Sequence, residues 1–205
     1  MKSTMPRIYL LDIDKEMTRA FCRHFDGIDG VETVQADFGL FMRDHPEVDG
    51  IVTPANSFGL LTGGFDKAVC AYFGEELQIA VRMKILTEWF GEQTVGTSMA
   101  VDIPGAQGKK LLHTPTMRKP SPIREHQVVY LCMRSALMEA IRAGLTCLVV
   151  PAFGGKAGQI SPEVIAHNMR AAWDQIQEQM ETPNVATFGT ARRLLQGKPQ
   201  RKDRQ

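Results

Sequence analysis

The chain has 205 residues, 43% of them hydrophobic and 23% charged. That balance belongs to a globular protein rather than a disordered one, and the length suits one domain around one core. With 24 basic residues against 23 acidic, the formal charge is +1, which excludes any global attraction to nucleic acid or an anionic membrane.

In chain order, apolar runs alternate with amphipathic ones. RIYLLDI (7–13) reads as a strand and KEMTRAFCRHF (15–25) as a helix with Asp14 at its cap position. VETVQA (31–36) is a second strand, and Asp37 is placed to cap a short helix after it. DGIVTPA (49–55) reads as a buried strand that runs into a loop. From Asp66 to Phe90 the pattern predicts a long helical stretch, bent or broken near Gly74. Strands are expected over 97–103 and 110–116, then a proline-rich loop, TPTMRKPSPIREH, and a helix over about 125–143 that Gly144 ends. The strand TCLVV leads through PAFGGKAGQ into Ser161-Pro162-Glu163, an N-cap serine with proline at the first helical position. That helix runs to about Met180, and NVATFG (184–189) is expected as a last short strand. Residues 1–190 read as a single α/β domain and 191–205 as a basic, frayed tail.

No run reaches the length of a membrane-spanning helix, and the opening MKSTMPRIYLLDID has acidic residues where a secretory signal has its apolar stretch. A cytoplasmic location is expected. Cys22, Cys70, Cys132 and Cys147 form no CxxC pair, and the five histidines have no zinc-like spacing, so reduced thiols with no metal and no cofactor are expected.

The organising feature is a repetition of design at two strand ends. GIVTPA and CLVVPA each finish in Pro-Ala, enter a glycine-bearing loop, and are followed by a helix. Ligands of open α/β sheets bind outside the carboxyl ends of the strands, and glycine lets backbone N–H groups approach phosphate oxygens. One such loop is ordinarily a tight turn; two at equivalent places suggest a clasp for a diphosphate, helped by the helix N-termini behind them. Neither loop spells a P-loop or a dinucleotide fingerprint.

Five pieces in order carry a resemblance: QADF (35–38), VDGIVTPANS (48–57), LLTGGFDKAVC (60–70), LLHTPT (111–116) and VVPAFGGKAG (149–158). Over roughly residues 30–180 this set resembles the macro domains, which bind ADP-ribose in a three-layer α/β/α fold around a mixed central sheet. The resemblance implies a ligand, ADP-ribose or an ADP-ribosylated macromolecule, with nucleic acid entering only as a modified substrate, and no membrane partner. Asp37 would accept a hydrogen bond from the adenine amino group, beside the backbone of Phe38; capping the following helix is an equal alternative. Asn56 would contact the distal ribose, where a turn-forming asparagine is the plainer reading. Gly63 and Gly64 would bring backbone to the distal ribose and diphosphate. Asp66 would orient a water or a ribose hydroxyl, or simply complement the helix dipole. Gly154, Gly155, Lys156, Ala157 and Gly158 would form the second phosphate loop, with Lys156 either pairing with phosphate or merely solvated. Phe188 is a candidate for stacking on adenine.

Two departures bear on activity. Cys70 stands where many macro-domain hydrolases have histidine, and it reads as a packed thiol. Lys67 invites comparison with branches that use a catalytic lysine, without matching their position. The readings are therefore a glycohydrolase that uses Asn56 and Asp66 to release ADP-ribose, and a non-catalytic ADP-ribose reader. A more remote class is a Mg²⁺-dependent haloacid-dehalogenase-like phosphatase using Asp12 and Asp14 in LLDIDKEMT, against which a capping role for Asp14 is preferred.

Overall fold

The structure is a computed structural model in which residues 4–183 and 187–189 are described. Six strands and six helices follow one another as β1 (Arg7–Asp12), α1 (Lys15–Phe25), β2 (Val31–Gln35), α2 (Phe38–Asp44), β3 (Gly50–Thr53), α3 (Gly64–Phe73), α4 (Glu76–Glu88), β4 (Met99–Asp102), β5 (Lys110–His113), α5 (Gln127–Arg142), β6 (Cys147–Val150) and α6 (Pro162–Glu181). The strands form one mixed sheet in the order β2-β1-β6-β3-β5-β4. All neighbours are parallel except β4, which runs antiparallel to β5.

Strands such as GIVT and CLVV are buried at every position, as a parallel sheet covered on both faces requires. Side-chain alternation divides them between two cores. Ile8, Leu10, Val52, Leu112, Leu148 and Val150 face α1, α5 and α6, while Tyr9, Leu11, Ile51, Leu111 and Val149 face α2, α3 and α4. The result is the expected three-layer α/β/α arrangement around a mixed sheet.

Local signals act where they are written. The Asp14 carboxylate accepts the N–H groups of Glu16 and Met17 at 2.7 and 3.0 Å and so caps α1. Asp14→Ala is expected to cost about 1 kcal/mol, read as a lowered urea midpoint; an unchanged midpoint would show that the cap carries no weight. Gly74, at φ 95°, separates α3 from α4, and Gly144, at φ 69°, follows the end of α5. Ser161 sits at the N-cap of α6 with Pro162 behind it, but its side chain makes no capping bond. The helix expected from Asp66 begins two residues earlier, at Gly64. Of the strand expected over 184–189, residues 184–186 lie outside the described residues and Phe188 and Gly189 are in a helical turn. The tail expected over 191–205 also lies outside them. No helix among the described residues is long and apolar enough to cross a membrane.

Candidate functional site

Because β1, β2, β3 and β6 are parallel, their carboxyl ends share one edge of the sheet. The loops leaving that edge enclose a cleft of about 560 Å³, within the range of small-ligand sites. Strand β6 lies between β1 and β3, so the two glycine loops, about a hundred residues apart in sequence, become neighbours. Asp37 and Phe38, Asn56, the Gly63-Gly64 pair, Asp66, and Gly154 through Gly158 all line this one cleft.

The second glycine loop is folded tightly on itself. The N–H groups of Ile160 and Gln159 donate back to the carbonyl oxygens of Gly154 and Gly155 at 3.2 and 3.0 Å. A Cβ on Gly158 would lie 2.3 Å from the Gly154 carbonyl oxygen, and Gly154 itself holds φ +83°. Among the described residues, none accepts a hydrogen bond from the N–H groups of residues 154–158. Opposite, Gly63 stands at the N-cap of α3 with no side chain to cap it, which leaves the first N–H groups of that helix available.

Asp66 lies in the first turn of α3 and is only 7% exposed. Its Oδ1 has no hydrogen-bond partner, and burial pushes its carboxyl up to about 7. A carboxylate withdrawn from water without a donor is held near its own titration point by desolvation. Asn56 is engaged in its own turn: Nδ2 donates to the Leu60 carbonyl at 2.8 Å, and Oδ1 accepts from Phe58 and Leu60 N–H at 3.1 and 3.4 Å. One amide N–H therefore remains for a ligand. Asp37 caps α2, its Oδ1 accepting from Gly39 and Leu40 at 2.8 and 3.2 Å. The Phe38 ring is buried edge-on against Phe65 and Tyr72, 5.1 and 5.7 Å between centroids, so only its backbone is suited to a ligand.

The Macro domain family model matches residues 52–169. The chain belongs to the macro domain family. The macrodomain of Mycobacterium tuberculosis DarG superposes with a TM-score of 0.54 at 18% identity, over 63% of this chain and 84% of that one. An Oceanobacillus iheyensis macrodomain variant solved with ADPR gives 0.54 at 20% identity, over 73% and 83%. Thermosipho africanus DarTG in complex with ADP-ribose gives 0.52 at 14%, over 63% and 36%. An uncharacterized Aquifex aeolicus protein is 28% identical over 123 residues, 60% of this chain and 71% of that one. At such identities the solved structures attest the fold.

The cleft of this macro domain also takes in residues beyond those the family resemblance implied. Asp12 and Ile13, from the end of β1, line the cleft, as do Met117 and Pro120 from the proline-rich loop. Asp12 is half-buried, and burial raises its carboxyl above the usual range, although the Asp14 N–H works against this. The acidic pair was visible in the sequence; nothing there pointed to Ile13. Met117 is joined to Asn56 by an isolated β-bridge, a contact between loops that no local pattern announces. Asp14 is engaged through Oδ1 in the cap of α1, the role preferred for it over catalysis. Among the described residues no group of three or more His, Cys, Asp or Glu is placed to hold a metal ion. Cys70 packs against the α2–α4 core, and burial pushes its thiol up. Phe188 is 96% exposed and does not line the cleft. Lys67 and Lys156 are both exposed, but only Lys156 is part of the cleft wall.

Proposed function

We propose that the cleft binds an ADP-ribosyl group, and that Asp66 assists water in cleaving the bond at the anomeric carbon of the distal ribose, releasing ADP-ribose from an acceptor. The observation that carries this reading is the buried, unpartnered Asp66 carboxylate beside two glycine loops. The N–H groups of residues 154–158 and the uncapped start of α3 suit the negative oxygens of a diphosphate. Asp37 keeps an oxygen for the adenine amino group, and the remaining Asn56 N–H suits a ribose hydroxyl. A carboxyl near 7 is well matched to take a proton from water at neutral pH. In the cleavage step the water oxygen bonds to the anomeric carbon, its proton passes to Asp66, and the acceptor departs with the electron pair of the broken bond.

Binding without turnover is the second reading. It is favoured by Cys70, a packed thiol that cannot reproduce an imidazole's paired donor and acceptor, and by the engagement of the Asn56 amide in its own turn. Titration calorimetry with free ADP-ribose is expected to give a saturable heat at micromolar concentrations. No heat at high micromolar ligand, from protein shown to be folded, removes both readings. Release of ADP-ribose from a modified protein then separates hydrolase from reader.

A further inference from the structure

We propose that the outer face of α4 is a dimer interface, on which a second copy of this chain packs its own α4 antiparallel across a two-fold axis. The helix is apolar on opposite sides. Leu77, Val81 and Ile85 are buried in the core between α4 and the sheet. Ile79, Met83 and Leu86, with Phe90 just beyond the helix end, are instead 62, 54, 59 and 95% exposed. Their offsets of four, three and four residues put all four on one stripe of the helix surface. A helix on the surface of a monomer turns its polar residues to water, whereas one that is apolar all round is ordinarily covered. This inference is independent of the ligand reading, since among the described residues α4 contributes nothing to the lining of the cleft.

Phe90 adds a second, separate observation. It follows Trp89, the C-cap of α4, and holds φ 52°. That left-handed conformation closes many helices, and glycine adopts it without strain. A phenylalanine there costs conformational energy and leaves its ring in water, so neither helix termination nor the core accounts for it. A contact outside the chain does.

The stripe itself selects a second copy as the occupant. Its offsets read the same in either direction, so an antiparallel α4 sets Ile79 against Phe90 of the second copy and Met83 against Leu86 of the second copy. A two-fold contact requires that self-complementarity. The four side chains expose about 500 Å² per copy, at the upper end for the largest apolar patch of an ordinary monomer. Two copies would bury about 1,000 Å² between them, the threshold for a specific interface. Charge does not oppose the pairing. No stripe position is charged, Lys84 and Glu88 of the same helix pair with each other at 3.2 Å, and Arg82 stands at the stripe edge, where a polar rim belongs. With a formal charge of only +1, two copies scarcely repel.

An interface of this size is expected to hold with a dissociation constant of roughly 1–100 µM. Sedimentation velocity of the full chain over about 1–200 µM is therefore expected to pass from the mass of one chain to that of two. Each substitution acts twice in a two-fold contact, so Met83→Glu or Leu86→Glu is expected to weaken association by about tenfold or more. Both positions are exposed, and the urea midpoint of the dilute protein should stay as in the parent. Leu40→Glu, at an exposed apolar position on α2, leaves association unchanged. Register is read separately in a Cys22→Ser background, which removes an exposed thiol. There Met83→Cys combined with Leu86→Cys is expected to give a covalent dimer on mild oxidation, and either replacement alone far less. A chain that stays single at the highest concentration overturns the proposal and leaves the stripe to a different protein. A dimer that both glutamate variants leave intact, or that the cysteine pair does not trap, has its interface elsewhere and overturns it as well.

Discussion

Asp66→Ala is expected to slow release of ADP-ribose from a modified protein by roughly 10²–10⁴-fold, the usual contribution of a positioned general acid or base. An unchanged rate clears Asp66 of catalysis and assigns the turnover to another group, whereas no release from the parent leaves the reader as the surviving function. The same residue makes a thermodynamic prediction independent of any substrate. Its carboxyl is near 7 in the folded protein against 3.8 for an unburied aspartate. Because the folded state holds its proton more tightly, stability is greatest below about pH 4 and is lost as pH rises through 7. At about 1.36 kcal/mol per pH unit over roughly 3 units, the loss is on the order of 4 kcal/mol by pH 8. Asp66→Asn keeps the shape and removes the buried charge, so it should be more stable than the parent at pH 8 and lose this part of the pH dependence. Urea unfolding at pH 5 and pH 8 spans about two of those units, so the parent should lose roughly 3 kcal/mol between them and the variant should not. A parent and variant with parallel pH profiles would mean that Asp66 is solvated or paired in solution.

Gly158→Ala tests the second loop. The added methyl would sit 2.3 Å from the Gly154 carbonyl oxygen and 2.7 Å from Ile123 Cδ1. The first of these contacts is with backbone, which cannot swing aside as a side-chain tip can, so the loop must open. We expect a stability cost of roughly 1–3 kcal/mol and a loss of ADP-ribose affinity of about tenfold or more, equivalent to at least about 1.4 kcal/mol. Gly155→Ala is the steric control, since its methyl meets only Ile165 Cδ1 at an ordinary 3.7 Å, and its stability should match the parent. Calorimetry showing undiminished ADP-ribose binding by Gly158→Ala would mean that this loop is no phosphate cradle.

Much of this protein is written locally. Asp14 and Gly144 announce the start of one helix and the end of another because capping geometry involves only a few consecutive residues. The apolar runs GIVT and CLVV announce strands buried on both faces because a covered parallel sheet leaves no polar side. The two glycine loops and the order of their motifs mark the edge where a ligand belongs. Other features are out of reach of local pattern. Asn56 could be identified, but not the turn that consumes most of its amide, since Leu60 and Phe58 reach it only through the folded loop. Phe188 was an aromatic residue of the right kind whose position depended on where the chain goes after α6, and it lies away from the cleft.

What the sequence by itself determined is the alternation of strands and helices, the caps and breaks between them, and the two loops with Asn56 and Asp66 beside them. Those follow from steric and hydrogen-bonding preferences within a few residues. Only the tertiary structure decided that β6 inserts between β1 and β3, so that the loops become neighbours, that β1 brings Asp12 and Ile13 into the wall, and that Asp66 is nearly buried there with its Oδ1 unpartnered. Strand adjacency is set by the summed burial of two opposed cores across the whole chain, and a carboxyl's proton affinity by everything packed around it. Neither quantity exists until the layers close.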